Sequence, residues 1–467
     1  MTWRLIGVKK TSKHNNQRNQ TKRMSSTSPS AGDSPNASAA GMSPADGSSD
    51  LPSQNGNKRL NLFRAVGLSF LAFLLMVSYA LARPATESMF LEAHTSSRLP
   101  AVWIVVALAV VAAVALYNRL VKGRHLLAMY GGASALAAVL LALLVLGRRV
   151  QLPFVHYALY AWKDVYIVVL VEIFYTYANT VFPIQTARWV YGFFGAVGAL
   201  GGILGNLAVG WVADAFGTVA ALWCVFGILV IIGVACVPLA RLMGEASHAP
   251  VQGRPSLMEA FRVVRKSRYL ILILAVVALV QISITLVDYQ FNIFVEHVYP
   301  NVDTRTGVIG QVYAVISIST VVLNAMVGPV LRLVGVPATL IFIPFFLGAA
   351  LAFFAVIPRF LTAAVLKAAS KAFDYTIFRA AKEILYIPTS YTEKTQGKSV
   401  ADMLTYRVAK GGASLLLLSM GWLSLTWLAL PVTFVSIGAW LVATVAITKR
   451  FRSLVTREEE LLKPDEH

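Results

Sequence analysis

Runs of about twenty apolar residues recur along this chain from residue 61 to residue 450, separated by short polar stretches. Roughly 20 apolar residues is the length of an α-helix that crosses the hydrocarbon layer of a bilayer, so the pattern restricts the chain to a membrane-embedded helical bundle. The segments are predicted at 61–82, 100–120, 126–146, 154–178, 190–213 and 218–241, then at 269–294, 307–333, 336–357, 360–385, 406–427 and 429–448. Composition agrees, because 57% of the 467 residues are hydrophobic and only 13% are charged, against about 25% charged in soluble domains. The predicted fold class is an all-α polytopic membrane protein of 12 transmembrane helices in two six-helix halves. The halves cover residues 60–244 and 269–450, with a linker at 245–268 and a tail at 451–467.

Loop charges test that arrangement, since Lys and Arg concentrate in short cytoplasmic loops. Lys58, Arg59 and Arg64 precede the first segment; Arg119, Lys122 and Arg124 follow the second; Arg188 follows the fourth. Arg254, Arg262, Arg265, Lys266 and Arg268 lie between the halves, Lys394, Lys398, Arg407 and Lys410 between segments ten and eleven, and Lys449, Arg450 and Arg452 after the last. All fall on one side if both termini are cytoplasmic, and only Arg148 and Arg149 oppose the trend. The opposite loops carry mixed charge, such as Arg83 with Glu87 and Glu92. The membrane is expected to be a bacterial inner membrane or an organelle envelope.

Residues 1–59 are a different material. The first 23 hold seven Lys or Arg and no acid, and 24–57 are rich in Ser, Ala, Gly, Pro and Asn, a composition that cannot build a core. With no apolar stretch this is not a secretory signal; it suits either an organelle transit peptide or a short disordered tail behind Met24. The formal charge of +19 follows from these basic stretches lying next to anionic lipid, and nucleic acid is not needed as a partner.

Enzyme chemistry has no foothold here. Cys224 and Cys236 sit twelve positions apart in the sixth segment, too far to bridge, and read as small apolar core residues. No Cys/His spacing suits a metal, and neither a cofactor motif nor a nucleophile elbow occurs. The string Gln396-Gly397-Lys398-Ser399 ends like a phosphate loop but has Thr392 where that loop needs Gly. In the fifth segment Gly192, Gly195, Gly198, Gly201, Gly202 and Gly205 recur at spacings of three and four, which lets a neighbouring helix approach closely or slide.

Charge inside the apolar segments is the functional signal. Lys367, Lys371, Asp374, Arg379, Lys382 and Glu383 crowd the tenth segment, Glu172 lies deep in the fourth and Asp288 in the seventh. Each unpaired charge at the bilayer centre costs on the order of 2.5 to 3.5 kcal/mol. Glu172, Asp288 and Lys382, on separate helices, are expected to neutralise one another or to face a polar cavity between the halves. Trp162, Tyr175, Tyr289 and Phe378 are available to stack a base or simply to pack.

At these residues the chain resembles the ATP/ADP translocases of plastids and obligate intracellular bacteria. Lys382-Glu383-Ile384-Leu385-Tyr386-Ile387-Pro388, then Gly397-Lys398 and Lys410-Gly411-Gly412, is similar to that family's KEMAYIP, GKA and GKSGG run. Glu172-Ile173-Phe174 resembles its acidic fourth-helix motif, and Ile284-Thr285-Leu286-Val287-Asp288 its I-N-L-V-E motif with Asp for Glu. The resemblance implies a major-facilitator-like bundle that exchanges ATP for ADP, or other nucleotides, through two basic and two acidic membrane residues. Glu172, Asp288 and Lys382 occupy three of those places. In Tyr79-Ala80-Leu81-Ala82-Arg83-Pro84-Ala85-Thr86-Glu87, however, Thr86 stands where the family's first-helix Lys would be; Arg83, Lys163 or Arg379 would have to compensate.

The leading expectation is thus a secondary transporter of a nucleotide or similar phosphorylated anion. Lys382, with Arg379 and Arg83, would hold phosphate oxygens, and Glu172 and Asp288 would pair with those bases in the empty state. The alternatives are a proton-coupled carrier of another small anion and a membrane scaffold without transport.

Overall fold

The computed structural model describes residues 54–121, 123–182, 184–243, 262, 264–390, 393 and 405–462. Almost all of these are helical. The helices are α1 (Gln54–His94), α2 (Leu99–Leu120), α3 (Leu126–Arg149), α4 (Val155–Val181), α5 (Ile184–Phe216) and α6 (Thr218–Met243), then α7 (Arg268–Val298), α8 (Val302–Leu333) and α9 (Val336–Val356). The chain continues through α10 (Phe360–Phe373), a π-turn (Asp374–Phe378), α11 (Arg379–Leu385), α12 (Tyr406–Trp422) and α13 (Ala429–Leu462). Residues 1–53 and most of the 245–268 linker lie outside the described residues, as do Arg254, Lys394, Lys398 and the Gln396–Ser399 string.

Among the described residues nine helices are long and apolar enough to cross a membrane, so the protein is a multi-pass membrane protein. The remaining elements are α4, the α10–π-turn–α11 stretch and α12. They are the ones that carry Lys163 and Asp164, Lys367, Lys371 and Asp374, and Lys410. α10 and α12 are short, at 14 and 17 residues; α4 packs on α1, α2 and α3, α10 on α7, α8 and α9, and α12 on α2 and α7.

One boundary differs in a way that matters. Hydropathy ends the first segment at residue 82 and leaves Arg83 and Glu87 in an outer loop, whereas α1 runs on through Pro84 to His94. A proline in a membrane helix is tolerated where neighbouring groups satisfy the freed backbone. Pro84 leaves the Ala80 carbonyl without its amide donor, and two residues on Thr86 turns its hydroxyl onto the Ala82 carbonyl at 2.8 Å. Arg83 and Glu87 are thereby placed four residues apart on one helix face, inside the bundle.

Two separate apolar cores form. One joins α1, α3, α4, α5 and α6 around Leu68, Tyr130, Leu170 and Leu229; the other joins α7 to α11 and α13 around Ile273, Leu351, Leu385 and Trp440. A third cluster bridges them at one end through Phe90, Trp103, Leu286, Tyr289 and Leu417. Polar contacts reinforce that end. Arg305, 2% exposed, donates to the Ser88 hydroxyl at 3.1 Å and carbonyl at 3.2 Å. The Asp303 carboxylate caps α6 by accepting from the Thr218 N–H at 2.6 Å and hydroxyl at 2.7 Å. Glu296 accepts from the Ser96 N–H at 2.8 Å.

The glycine stripe of α5 divides into two parts. A Cβ on Gly201 would stand 2.6 Å from the Phe73 carbonyl oxygen, and one on Gly205 would stand 2.8 Å from that of Val77, so α1 and α5 touch backbone to backbone there. A Cβ on Gly210 would stand 3.2 Å from the Cα of Gly307 in the other half, whereas Gly192 and Gly195 face open space. Of the two cysteines, Cys236 is buried but Cys224 is exposed. The expectation of two core cysteines is corrected for Cys224, whose position on the helix turns it away from the packed face.

Gly201→Val is expected to destabilise the bundle by about 1–3 kcal/mol, the usual penalty for overpacking, and to lower the melting temperature followed by tryptophan fluorescence in detergent. Gly192→Ala, which meets nothing within 4 Å, should leave that temperature unchanged.

Candidate functional site

Lys367 and Lys371 are four residues apart on α10 and so share a face. Both turn onto Asp288 of α7: the Lys367 ammonium lies 2.8 Å from one carboxylate oxygen and that of Lys371 lies 2.6 Å from the other. All three side chains are largely buried, with Lys367 at 2% and Asp288 at 14% exposure. The aliphatic and aromatic surroundings make the pairing obligatory, since a buried charge without a partner is among the most destabilising features a bundle can hold. Lys367 also sits over the rings of Phe291 at 4.8 Å and Tyr313 at 5.5 Å.

The N-terminal half supplies a matching set. Arg83 pairs with Glu87 at 3.2 Å and stacks over Tyr313 of α8 at 3.9 Å. Tyr313 in turn donates to the Glu87 carboxylate at 3.1 Å, so this group of three ties α1 to α8 across the two halves. On α4, Lys163 pairs with Asp164 at 2.9 Å and lies 3.9 Å over Tyr160, while Tyr79 donates to Asp164 at 3.3 Å. Lys410 of α12 is an electrostatic neighbour of Asp164, Lys371 and Asp288 and closes no ion pair among the described residues. After Lys371 the helix widens into the π-turn, where Asp374 accepts from Gln281 at 3.3 Å. A π-turn inserts one residue and so rotates the helix beyond it, a device frequent at functional sites.

Of these residues Tyr79, Arg83 and Tyr313 border a cavity of about 480 Å³ between the halves, lined by α1, α4 and α5, by α8 and by Tyr375 of the π-turn. Arg83, Tyr79, Tyr175, Tyr313 and Tyr375 present polar and aromatic groups to it, and Gly195, Gly198 and Gly202 keep its α5 wall low. The cavity lies on the Ala72–Arg83 side of α1, away from the closed end at Ser88 and Ser96.

The residues predicted from sequence are therefore distributed unevenly. Asp288, Arg83 and Lys163 belong to the central cluster. Lys382 is half-buried and Arg379 exposed, and both act electrostatically on Asp374. The pairing of Asp288 with Lys382 is corrected: Lys367 and Lys371 occupy its carboxylate, because α10 and not α11 packs along α7. Glu172 is exposed on the α2 side of α4, near Tyr117 and not near the cluster, since its helical phase points it there. Thr86 is 1% exposed. Of the aromatics, Tyr175 lines the cavity, while Trp162 stacks on Tyr166 at 4.5 Å and Phe378 packs edge-on to Trp440. Sequence reasoning missed Glu87 and Asp164. The four-residue spacing of Arg83 and Glu87 was the available signal, and the intervening proline concealed it.

Two half-bundles packed around a buried charge cluster and an inter-half cavity define a polytopic helical membrane protein with a major-facilitator-like fold. A model of the TLC ATP/ADP transporter family matches residues 154–451, and the chain belongs to that family. It is 25% identical over 342 residues to ADP,ATP carrier protein 1 of Chlamydia muridarum (strain MoPn / Nigg), covering 63% of this chain and 65% of that relative. To the protein of the same name from Rickettsia bellii (strain RML369-C) it is 21% identical over 333 residues, covering 62% and 67%. The chain thus spans about two thirds of the length of these relatives. Among solved structures, a mutant of the nucleoside transporter NupG superposes with a TM-score of 0.62 at 14% identity, over 84% of this chain and 99% of that one. A bacterial homologue of the iron transporter ferroportin in an inward-facing state gives 0.58 at 12% identity, over 84% and 98%. These two likenesses are of fold alone.

Asp288→Asn removes the counter-ion shared by two buried ammonium groups and is expected to cost about 3–5 kcal/mol, read as a large fall in melting temperature. Adding Lys367→Met should recover part of that loss, and failure to recover would show that the ion pair is not what Asp288 contributes.

Proposed function

We propose that this protein exchanges ATP, ADP or a related nucleotide across a membrane by alternating access, without enzymatic turnover of the solute. The observation that carries this reading is the cluster itself, in which Arg83, Lys163, Lys367, Lys371 and Lys410 face the four carboxylates of Glu87, Asp164, Asp288 and Asp374. Charges of this kind inside a membrane bundle mark substrate and ion pathways. A polyphosphate would take charge-assisted hydrogen bonds from Arg83, Lys371 and Lys410, displacing Glu87 and Asp288 from them. Lys382 and Arg379 would act on the approach through Asp374. The tyrosine rings around the cavity offer faces for a base, and a volume of about 480 Å³ lies within the usual small-molecule range of roughly 300 to 1,000 Å³.

Coupling follows from the tie between α1 and α8. When a phosphate takes Arg83, the Arg83–Glu87–Tyr313 group loses one of its members and the closed end of the bundle is weakened. Substrate binding then favours the state in which the halves have rocked, as any ligand with unequal affinity for two conformations does. The basic loops support an orientation with both termini cytoplasmic, in a bacterial inner membrane or an organelle envelope. The second reading, a proton-coupled carrier of another small anion, is favoured by one observation, the buried Thr86 at the place of the family's first-helix Lys.

Proteoliposomes preloaded with ATP, ADP or inorganic phosphate should take up labelled nucleotide only against internal nucleotide, and Lys371→Ala should abolish this exchange. No flux from well-inserted protein, together with uptake of a smaller anion driven by a pH gradient, would replace this reading with the second. Glu87→Gln should bind nucleotide more tightly, because Arg83 loses its competitor, yet exchange it more slowly. A merely structural role for Glu87 would weaken binding and exchange together.

A further inference from the structure

Two adjoining cavities, of about 470 and 600 Å³, open between the start of α7 and the 446–454 stretch of α13. Four cations line them: Lys266 and Arg268 at the start of α7, and Lys449 and Arg450 on α13. All four side chains are exposed. Among the described lining residues the one carboxylate is Glu393, and it is engaged by the Ser390 N–H and hydroxyl, both at 2.9 Å. Tyr269 forms the back wall, held by its hydroxyl donating to the Leu385 carbonyl at 2.8 Å. The cleft continues between the two helices along Leu272 and Ala446. Basic residues thus surround its mouth, and an apolar seam leads out of it along the membrane-spanning surface.

We infer that this cleft binds the phosphate group of an anionic phospholipid, with an acyl chain lying along the Leu272–Ala446 seam. Scattered interfacial charge attracts anionic lipid diffusely, whereas basic pockets between membrane helices select lipid head groups. Here two pairs of cations from separate helices converge on one concavity, and the N-terminus of α7 adds a dipole of the same sense. A free phosphate-bearing solute would satisfy the cations and leave the apolar seam unused; a phospholipid satisfies both. Since α7 carries Asp288 and α13 packs on α7, a lipid bridging the two would also brace one wall of the C-terminal half.

The test is lipid retention by the full-length protein. Protein reconstituted in phosphatidylcholine containing a known fraction of phosphatidylglycerol is extracted into mild detergent, and the lipid that stays bound is counted by native mass spectrometry. Wild-type protein is expected to retain phosphatidylglycerol preferentially. Arg268→Gln with Arg450→Gln is expected to lower that preference about thirty-fold, the effect of two interfacial charges. Arg119→Gln with Arg124→Gln, an exposed pair flanking the end of α2, removes equal charge and should leave the preference intact. Equal retention of both lipids, or equal loss in the two double variants, would overturn the inference in favour of diffuse surface charge. Displacement of the lipid by millimolar inorganic phosphate would also overturn it, by assigning the cleft to a soluble anion.

Discussion

A carboxylate held between two ammonium groups, Asp288 between Lys367 and Lys371, is the contact on which the interior of this protein depends. In a membrane bundle water cannot rescue a stranded charge, so each cation placed inside requires an acid in reach and each acid requires a cation. Once Asp288 is committed, the remaining charges have few ways to be satisfied. Arg83 takes Glu87 within its own helix, Lys163 takes Asp164 beside it, and Asp374 is left to Gln281 and the cations around it.

This pattern makes the interior both stable and replaceable. Every cation that would hold a phosphate lies near an internal anion or an aromatic face, so the empty site escapes the full penalty of buried charge. In the proposed exchange a solute phosphate would substitute for those internal partners and would not need to desolvate bare ammonium groups. Tyr313 matters in this scheme because it belongs to α8, touches Arg83 and Glu87 of α1, and lines the cavity. In the proposed exchange it would report occupancy of the N-terminal half to the C-terminal half through direct contact.

The mechanical frame is set by residues without side chains and by polar clamps at the opposite end. Gly201 and Gly205 let α1 lie against α5 closely enough to move with it, and Gly210 lets α5 meet α8 at Gly307. Arg305, Asp303 and Glu296 then add hydrogen bonds to the apolar cluster that joins the halves at the end beyond the cavity.

The sequence by itself determined the class of protein, the positions of nearly all the helices and which side chains would bear charge inside them, because hydropathy and charge are properties of local segments. It also singled out Asp288, Arg83 and Lys163, which the fold gathers into one polar region. Only the tertiary structure decided who pairs with whom. Glu172 and Asp164 lie on the same helix, eight residues apart, yet helical phase turns one toward α2 and the other into the cluster. Lys382 and Lys371 lie on the same stretch, yet the packing of α10 along α7 gives Asp288 to Lys371. Partner choice depends on the rotation and neighbours of each helix, and those are fixed by contacts between residues far apart in the chain, which no local window of sequence contains.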